Sequence, residues 1–315
     1  LMPMTTEDVI FAGLPLFHVF GQTAALNCGI AAGATLVMQP RFDAVEVLEK
    51  LAAEGVTVFE GVPTMFSGLL QVPSQIELPK LRVCATGGAA MPVEVLGQFE
   101  RRFGAIVLEG YGLSETSPVA SFNLLHARKV GSIGRPVTGV EMRILDQDGQ
   151  PLPPNEPGEI AVRGHNVMKG YWGKPEATAA VLSGDGWFRT GDIGMTDDEG
   201  YFFVVDRLKD LIIRGGYNVY PREIEEVLYE HPEVVEAAVI GIPHADLGEE
   251  VAAAVVLKSG SHTTADELRA YVRDQVAAYK YPRVLWTTDQ LPKGATGKIL
   301  KREIVPPAEF VGGGH

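Results

Sequence analysis

The stretch LRVCATGGAAMPVEVLGQFERRFGAIVLEGYG, residues 81–112, determines the predicted fold. Leu81–Ala85 and Ile106–Leu108 are short apolar runs of the kind that form buried strands, whereas Pro92–Phe103 repeats apolar residues at the spacing of a helix. Gly104 follows the helical stretch as a stop signal. A strand, a helix and a second strand in this order predict a parallel β-α-β unit.

The same alternation extends toward the amino terminus. Ala34–Met38 and Val56–Glu60 are further strand-like runs, and Asp43–Glu54 between them has helical spacing, with Asp43 as its N-cap and Gly55 as its stop signal. We therefore predict an α/β fold in which a parallel sheet is layered with helices.

The sequence pattern changes beyond Gly131. Glu141–Leu145 and Glu159–Arg163 are short strand-like runs separated by turn sequences. This pattern predicts a small antiparallel or barrel-like subdomain over residues 131–205. Together with the parallel sheet, it completes a first predicted domain of residues 1–205.

A third pattern begins at Asp206, and we place a domain boundary at Asp206-Arg207. Residues 206–315 alternate between extended and helical stretches, which predicts a compact α+β domain. The predicted segments are a hairpin, a helix, two strands and a helix that follows a capping box: Leu208–Tyr220, Pro221–Glu230, Val234–Ile242, Glu249–Leu257 and Thr264-Ala265-Asp266-Glu267.

Charge and hydropathy argue against several classes of function. The chain has 27 basic and 40 acidic residues, and a net charge of -13 disfavours a nucleic-acid or anionic-membrane surface. The longest weakly polar stretch, Ala24–Met38, is too short to span a bilayer, so we predict no transmembrane segment. Cys28 and Cys84 lack metal-ligand spacing, which predicts buried thiols and suits a reducing, cytoplasmic location.

Short motifs rich in glycine and polar residues occur along nearly the whole chain. In chain order they are Pro15-Leu16-Phe17-His18, Gly87-Gly88-Ala89, Tyr111-Gly112-Leu113-Ser114-Glu115-Thr116, Gly158-Glu159-Ile160-Ala161-Val162-Arg163-Gly164, Trp187-Phe188-Arg189-Thr190-Gly191-Asp192, Asp206-Arg207-Leu208-Lys209-Asp210 with Gly215-Gly216, and Pro292-Lys293-Gly294-Ala295-Thr296-Gly297-Lys298-Ile299. This ordered set resembles the motifs of the adenylate-forming superfamily, which includes acyl-CoA synthetases, luciferases and peptide-synthetase adenylation domains. The resemblance implies a large AMP-binding domain and a mobile C-terminal lid that turns about Asp206.

The residues of Tyr111–Thr116 suit nucleotide binding on chemical grounds. They follow a predicted strand, where open α/β sheets place their ligands. Tyr111 could lie against a nucleobase, Gly112 allows close backbone approach, and Glu115 could hold Mg²⁺. A solvated loop with a capping carboxylate would show the same pattern, but the resemblance favours ligand binding and gives Glu115 and Thr116 catalytic roles.

Three charged residues complete the predicted nucleotide site. The carboxylate of Asp192 can accept both hydroxyls of a ribose, and the guanidinium of Arg207 can meet ribose or phosphate, with an interdomain salt bridge as its alternative. The ammonium of Lys298 suits an acyl carboxylate and the charge that develops at the α-phosphate. Most lysines are solvated surface residues, but the Pro-Lys-x-x-x-Gly-Lys match makes Lys298 the first choice for a catalytic residue.

The resemblance also assigns residues to substrate and cofactor contacts. A tight turn and a packed core histidine are the alternatives for Gly87-Gly88-Ala89 and His18, and a glycine hairpin turn is the alternative for Gly215-Gly216. By resemblance, adenine and the acyl group lie at Gly87-Gly88-Ala89, and the pantetheine arm of CoA lies along Gly215-Gly216. The resemblance also places His18 at the substrate pocket with Val62 and Pro63. The remaining predicted cofactor contacts are Glu109, Gly110 and Lys209.

The implied activity is ATP-dependent activation of a carboxylic acid to acyl-AMP and then to acyl-CoA, with ATP, Mg²⁺ and CoA as cofactors. Small apolar residues at Val62-Pro63-Thr64 favour a medium- or long-chain fatty acid over an amino acid, and aryl acids stay open. In the superfamily a Ser/Thr/Gly-rich loop ending in Pro-Lys-Gly precedes the His18 segment. Since residues 1–17 hold no such loop, we expect a C-terminal portion that is weakly active or inactive alone.

Two other interpretations stay open from the sequence. One is an adenylation domain that loads a carrier protein instead of free CoA. The other is a catalytically impaired nucleotide-binding fragment, which the absent loop favours and the intact Glu115, Asp192, Arg207 and Lys298 disfavour. Both involve small-molecule partners and no nucleic acid, and they leave peripheral membrane contact and oligomeric state open.

Overall fold

The computed structural model describes residues 1–310. The chain divides into two compact units, of which the first is Leu1–Val204 and the second begins at Val205. Each unit has its own sheet and core, and each is described by itself below.

The first unit is built on a seven-stranded sheet in the order β2-β1-β3-β4-β5-β6-β7. Strands β1 to β5 pair in parallel, and β6 and β7 continue the sheet in antiparallel pairing. This sheet confirms the predicted α/β class. The strands are β1 Val9–Ala12, β2 Thr35–Met38, β3 Val58–Gly61, β4 Val83–Thr86, β5 Ile106–Gly112, β6 Val119–Phe122 and β7 Arg135–Pro136.

Helices connect the parallel strands, and the predicted cap and stop residues lie at their ends. Asp43 accepts hydrogen bonds at 3.0 Å from the amides of Val45 and Glu46, and Gly104 ends a helix at φ 69°. The strand β1 and the third helix were not predicted. The helices are α1 Cys28–Ala32, α2 Ala44–Ala53, α3 Pro63–Gln71 and α4 Val93–Phe103, and a π-helix, Gly21–Asn27, precedes α1.

Both faces of the parallel sheet are covered. On one face Phe59 packs edge-on against Phe66 of α3 at 5.1 Å, and Phe66 packs against Phe99 of α4 at 4.8 Å between ring centroids. On the other face Val58 and Leu108 belong to an apolar cluster, and the π-helix contributes a buried alanine to it. Coverage on two sides is typical of parallel sheets, and it explains why their strands are apolar throughout.

An antiparallel sheet forms the rest of the first unit. Its four strands lie in the order β11-β10-β9-β8, and β11 runs across the boundary at Val204. As far as residues 1–310 show, this sheet does not close, so the barrel-like form of the prediction is wrong and the antiparallel form is confirmed. The elements are β8 Val140–Leu145, β9 Gly158–Gly164, α5 Pro175–Val181, β10 Phe188–Thr196 and β11 Phe202–Arg207.

The second unit has the predicted α+β character. Its sheet has the order β13-β12-β15-β14, and a further strand, β16, pairs in parallel with β15 and was not predicted. Thr264 and Glu267 form the predicted capping box before the last helix. The elements are β12 Ile212–Arg214, β13 Tyr217–Val219, α6 Pro221–Glu230, β14 Val234–His244, β15 Gly248–Leu257, α7 Ala265–Arg273 and β16 Val284–Thr287.

The structure tests two further expectations from composition. Cys84 is buried as predicted, but Cys28 at the start of α1 is exposed, so the prediction of two buried thiols is wrong for Cys28. In α1 the buried residue is Gly29, and the cysteine that begins the helix is exposed. Across the described part of the chain, every helix is too short or too polar to cross a membrane.

One carboxylate ties the amino ends of three adjacent parallel strands. Asp8, directly before β1, accepts hydrogen bonds from the hydroxyl of Thr57 at 2.7 Å and from Nε of Arg82 at 3.0 Å. Thr57 and Arg82 directly precede β3 and β4. Burial opposes ionisation of Asp8, but the hydrogen bonds from Arg82, Thr57 and the amide of Thr5 outweigh it and lower its pKa from 3.8 to about 2.

Replacing this carboxylate is expected to weaken the first unit in a pH-dependent way. Because the folded-state pKa lies below the unfolded value, ionised Asp8 stabilises the fold above pH ~4, and this contribution is lost as the pH falls to about 2. Asp8→Asn should therefore lower the free energy of unfolding by about 2 kcal/mol at pH 7 and by progressively less below pH ~4. Urea unfolding across this pH range measures the difference.

The matched control for this experiment is Asp148→Asn, an exposed turn position. It should change the free energy of unfolding by less than about 0.5 kcal/mol. An Asp8→Asn difference that does not depend on pH would contradict the role given to the ionised carboxylate.

Candidate functional site

The candidate site begins at the carboxyl ends of two neighbouring parallel strands. Gly87 and Gly88 directly follow β4, and Tyr111 lies near the end of β5, which pairs with β4. A Cβ atom on Gly87 would lie 3.2 Å from the carbonyl oxygen of Gly110, so the two backbones approach closely there. The structure thus brings Gly87-Gly88-Ala89 and Gly110-Tyr111-Gly112 together at the edge where open α/β sheets bind ligands.

The loop after β5 is held by close packing of its own backbone. A Cβ atom on Gly112 would lie 1.7 Å from the carbonyl oxygen of Pro118, so only glycine fits at this position. The buried hydroxyl of Thr116 accepts a hydrogen bond from the amide of Leu113 at 2.9 Å. Thr116 therefore has a defined role in shaping the loop, and its catalytic role stays a prediction.

Glu115, the predicted magnesium ligand, is positioned by a residue that was not predicted. The hydroxyl of Tyr171 donates a hydrogen bond to Oε1 of Glu115 at 3.0 Å, and the amide of Met168 donates to the Glu115 carbonyl at 2.8 Å. Burial and then this carboxylate raise the pKa of Tyr171, which keeps the phenol protonated as the donor.

Tyr111 and Asp192 meet although they lie far apart in the sequence. The hydroxyl of Tyr111 donates a hydrogen bond to Oδ2 of Asp192 at 2.6 Å. Asp192 is buried, while Tyr111 is half-buried. The aromatic ring predicted to contact adenine and the carboxylate predicted to contact ribose are thus direct neighbours.

Asp192 reaches this position because β10 is irregular. The pairing of β10 with β9 shifts between Arg189 and Ile193. Glu159 of β9 holds the irregular segment, since its carboxylate accepts hydrogen bonds from Nε of Arg189 at 2.6 Å and from the amide of Gly191 at 3.0 Å. Bulges of this kind re-aim a side chain, and here the bulge directs Asp192 toward Tyr111.

Glu109 and Gly110, two further predicted cofactor contacts, have clear structural partners. Oε2 of Glu109 accepts a hydrogen bond from the amide of Gly131 at 3.1 Å. A Cβ atom on Gly110 would lie 2.5 Å from the ring of Phe122 in β6, so β5 and β6 pack tightly there. Both residues shape the strand that carries Tyr111, and their contact with a nucleotide stays a prediction.

The predicted acyl pocket lies in the first unit. His18 accepts a hydrogen bond at Nδ1 from the amide of Phe20 at 3.2 Å, which resembles an N-cap interaction at the start of a helix. A Cβ atom on Gly87 would lie 3.7 Å from the ring of Phe20, which places this segment beside the glycine turn. Val62 and Pro63 are buried at the start of α3.

In the second unit the predicted hinge residue is fixed to a helix. Oδ1 of Asp206 accepts a hydrogen bond from the amide of Arg207 at 2.7 Å, and Oδ2 accepts one from the amide of Arg222, in the first turn of α6, at 2.8 Å. Burial raises the pKa of Asp206. The side chains of Arg207 and Lys209 are exposed, as a ligand contact requires.

Gly215 and Gly216 form the turn of the hairpin between β12 and β13. Their φ angles are 56° and 85°, and the flanking Arg214 and Tyr217 pair across the turn. Two successive residues with positive φ favour glycine at both positions. The turn by itself accounts for both glycines, so their contact with CoA stays a prediction.

The segment that carries Lys298 is held at both ends by ion pairs. Before it, Lys293 pairs with Glu236 of β14 at 2.6 Å. After it, Lys301 pairs with Glu225 of α6 at 2.7 Å. Although burial opposes the charge on Lys301, the carboxylates of Glu225 and Asp206 outweigh it and raise its pKa. The backbone of Lys298 itself accepts a hydrogen bond from the amide of Gly294 at 2.9 Å, which closes the turn.

Glu115 is the carboxylate of this site that the sequence predicts as a magnesium ligand. Within residues 1–310 there is no group of three or more His, Cys, Asp or Glu side chains arranged to hold a metal ion. Mg²⁺ commonly binds through one or two carboxylates and the phosphates of a substrate. Glu115 fits that mode, because its carboxylate is an oxygen ligand at the sheet edge where the other site residues gather.

Sequence reasoning did not find the residues that position the site. Glu159, Tyr171 and Glu236 contact motif residues that lie elsewhere in the chain, and Glu225 pairs with Lys301, just beyond the last motif. Glu159 belongs to a quoted motif, but nothing in its spacing indicates a bond to the segment before Asp192. The local pattern around Tyr171 also shows no signal for its bond to Glu115.

Comparison with known proteins agrees with these motifs. A family model described as AMP-binding enzyme matches residues 2–172, and one described as AMP-binding enzyme C-terminal domain matches residues 223–298. A long-chain-fatty-acid–CoA ligase of Bacillus subtilis (strain 168) is 46% identical over 296 residues, which are 93% of this chain and 53% of that protein. A feruloyl-CoA synthase of an Amycolatopsis species is 42% identical over 305 residues, 96% of this chain and 62% of that protein.

Solved structures give the same result. The crystal structure of ATP-bound MatB from Rhodopseudomonas palustris superposes with a TM-score of 0.88 at 37% identity, covering 95% of this chain and 60% of that one. The chain therefore spans a little over half of the length of the relatives that it matches.

Loss of the anchor after Lys298 is expected to destabilise the second unit. Lys301→Met leaves Glu225 without its cation in a position where the lysine side chain is only 24% exposed. Because removing one partner of a largely buried pair leaves an uncompensated charge, the free energy of unfolding should fall by about 2 kcal/mol. Urea unfolding monitored by circular dichroism measures this loss.

The neighbouring Arg302→Met makes the same chemical change at a side chain that is 82% exposed. It should alter the free energy of unfolding by no more than about 0.5 kcal/mol. Equal effects of the two substitutions would show that the ion pair with Glu225 does not anchor the segment.

Proposed function

Because the chain belongs to the family of AMP-binding enzymes, we propose that the complete protein activates a carboxylic acid with ATP and transfers the acyl group to CoA. The relatives named above are CoA ligases or synthases, which supports this reaction class. The observation that carries the proposal is the hydrogen bond between Tyr111 and Asp192. It holds the aromatic ring proposed to contact adenine beside the carboxylate proposed to contact ribose.

In the first step, a carboxylate oxygen of the acid attacks the α-phosphorus of ATP. The bond from that phosphorus to the bridging oxygen breaks, and pyrophosphate leaves with the electron pair. The ammonium of Lys298 stabilises the negative charge that develops on the α-phosphate oxygens. Glu115 is the residue that would hold Mg²⁺, and the ion would supply positive charge near the phosphates.

In the second step, the sulfur of CoA attacks the acyl carbon of acyl-AMP. The bond from that carbon to the phosphate oxygen breaks, AMP leaves with the electron pair, and the thiol proton is released to solvent. We propose that the second unit turns about Asp206 between the two steps, which withdraws Lys298 and brings the turn Gly215-Gly216 to the site. The bonds of Asp206 to the first turn of α6 support this role, because they make it move with the second unit.

The acyl group is best described as that of a medium- or long-chain fatty acid. Buried Val62 and Pro63 offer apolar contacts at the strand edge, and a similar protein is named as a long-chain-fatty-acid–CoA ligase. Another similar protein is named for a feruloyl group, so an aryl acid is the alternative acyl class.

The first test is the catalytic role of Lys298. Lys298→Ala in the complete protein should lower the rate of acid-dependent ATP–pyrophosphate exchange by about 10²–10³-fold, because a donor to developing charge is lost. The control Lys258→Ala removes an exposed lysine of the same unit and should leave the rate within about twofold. Full exchange activity in Lys298→Ala would remove this residue from the first step.

The second test identifies the acceptor of the acyl group. AMP release by the complete protein should accelerate at least about tenfold on addition of CoA, because the thiol draws acyl-AMP forward. Acceleration only by a phosphopantetheinylated carrier protein would assign the chain to carrier loading. Tight binding of an acyl-AMP analogue without any turnover would instead support a catalytically impaired protein.

A further inference from the structure

The strand β3 carries a buried acid that the proposed chemistry does not use. Glu60 is the penultimate residue of β3, and its exposed fraction is 0%. It pairs with Ala85 of β4. Since side chains alternate along a strand, Glu60 lies on the face of Val58 and Leu108, opposite the phenylalanine face.

Neither carboxyl oxygen of Glu60 has a hydrogen-bond partner within residues 1–310. Burial raises the pKa of Glu60 to about 8, so the group is a neutral carboxylic acid near pH 7. A neutral carboxyl both donates and accepts hydrogen bonds. Leaving these groups unpaired destabilises a folded protein, and such exceptions in native structures call for an explanation.

The residues beside Glu60 on the two neighbouring strands are small and apolar. Ala85 flanks it on β4, and the register of β1 and β3 places Ala12 on its other side. The π-helix, Gly21–Asn27, packs on the same face through Ala25. The π-helix is rare, and π-turns occur frequently at functional sites.

Glu60 also lies next to the segments predicted to bind the acyl group. Val62 and Pro63 follow it by two and three residues, and Gly87 follows its strand neighbour Ala85 by two. The ring of Phe20, directly before the π-helix, lies beside Gly87. Glu60 is thus close in sequence and in strand register to the residues predicted to form the acyl-binding region.

We propose that Glu60 is a specificity-determining residue that binds a hydroxyl group on the hydrocarbon portion of the acid substrate. The inference rests on the proposed acid–CoA ligase function and refines it, because a plain alkyl chain would leave the carboxyl unpaired. A hydroxyl matches a neutral carboxyl in donor and acceptor capacity. Both a hydroxylated fatty acid and a phenolic acid carry such a group, and the test separates them.

Sites that hydrogen-bond a substrate hydroxyl discriminate against the analogue that lacks it, because the buried protein group then stays unpaired. An apolar pocket gains no such discrimination. The ratio of kcat/KM for a hydroxylated acid to that for its parent acid therefore reports directly on Glu60.

The experiment measures this ratio with the complete protein for two matched pairs of acids. One pair is ω-hydroxypalmitate and palmitate, and the other is para-hydroxycinnamate and cinnamate. In the wild type, the ratio should exceed about ten in one pair, and that pair identifies the source of the hydroxyl. Glu60→Met should lower that ratio at least about tenfold, and Glu60→Gln, which keeps a donor and an acceptor, should restore part of it.

A second measurement guards against a misfolded variant. Glu60→Met removes an unpaired buried acid, so its thermal unfolding midpoint should equal or exceed that of the wild type. A lower midpoint would show that Glu60 is needed for folding instead, and this outcome would overturn the proposal.

The outcomes also separate this inference from the proposed function. Ratios near one in both pairs, unchanged in Glu60→Met, would overturn the role of Glu60 while the ligase activity stands. Failure of the wild type to activate any carboxylic acid in ATP–pyrophosphate exchange would overturn the ligase function and the inference together.

Discussion

Parallel pairing of β3, β4 and β5 is the constraint on which the first unit depends. It brings the carboxyl ends of all three strands to one edge, where Val62-Pro63, Gly87-Gly88 and Tyr111 follow. It also fixes the direction of every side chain, because a shift of one residue would exchange the two faces. The phenylalanines pack against α3 and α4 only in this register. Asp8 accepts hydrogen bonds at the opposite ends of β3 and β4.

Polar contacts between distant segments hold several of the motif residues. Glu159 holds the bulge that aims Asp192, and Tyr171 holds Glu115. In the second unit Glu225 and Glu236 hold the two ends of the segment that carries Lys298. Each supporting group is a carboxylate or a phenol with a fixed partner, so the motif side chains need little rearrangement to meet a ligand.

Local sequence signals predicted most of the secondary structure, but not the contacts between distant segments. The helix α6 was predicted as Pro221–Glu230 and is observed with those bounds, because a proline at its first position and an amphipathic repeat define it locally. The strands β1 and β16 were missed, and each pairs with strands that lie far from it in the sequence. The bond of Tyr111 to Asp192 joins residues 81 positions apart, and no local pattern encodes such a contact.

One buried acid differs from the others in a way that bears on function. Glu236 and Glu225 are paired with lysines, and Asp206 accepts two backbone hydrogen bonds, so each has an internal partner that explains its burial. Glu60 has none within residues 1–310, although it is the most fully buried of the four. A group of this kind weakens the fold unless a ligand completes it. Because it pairs with Ala85, two residues before the glycine turn of the candidate site, the substrate is the partner that we propose.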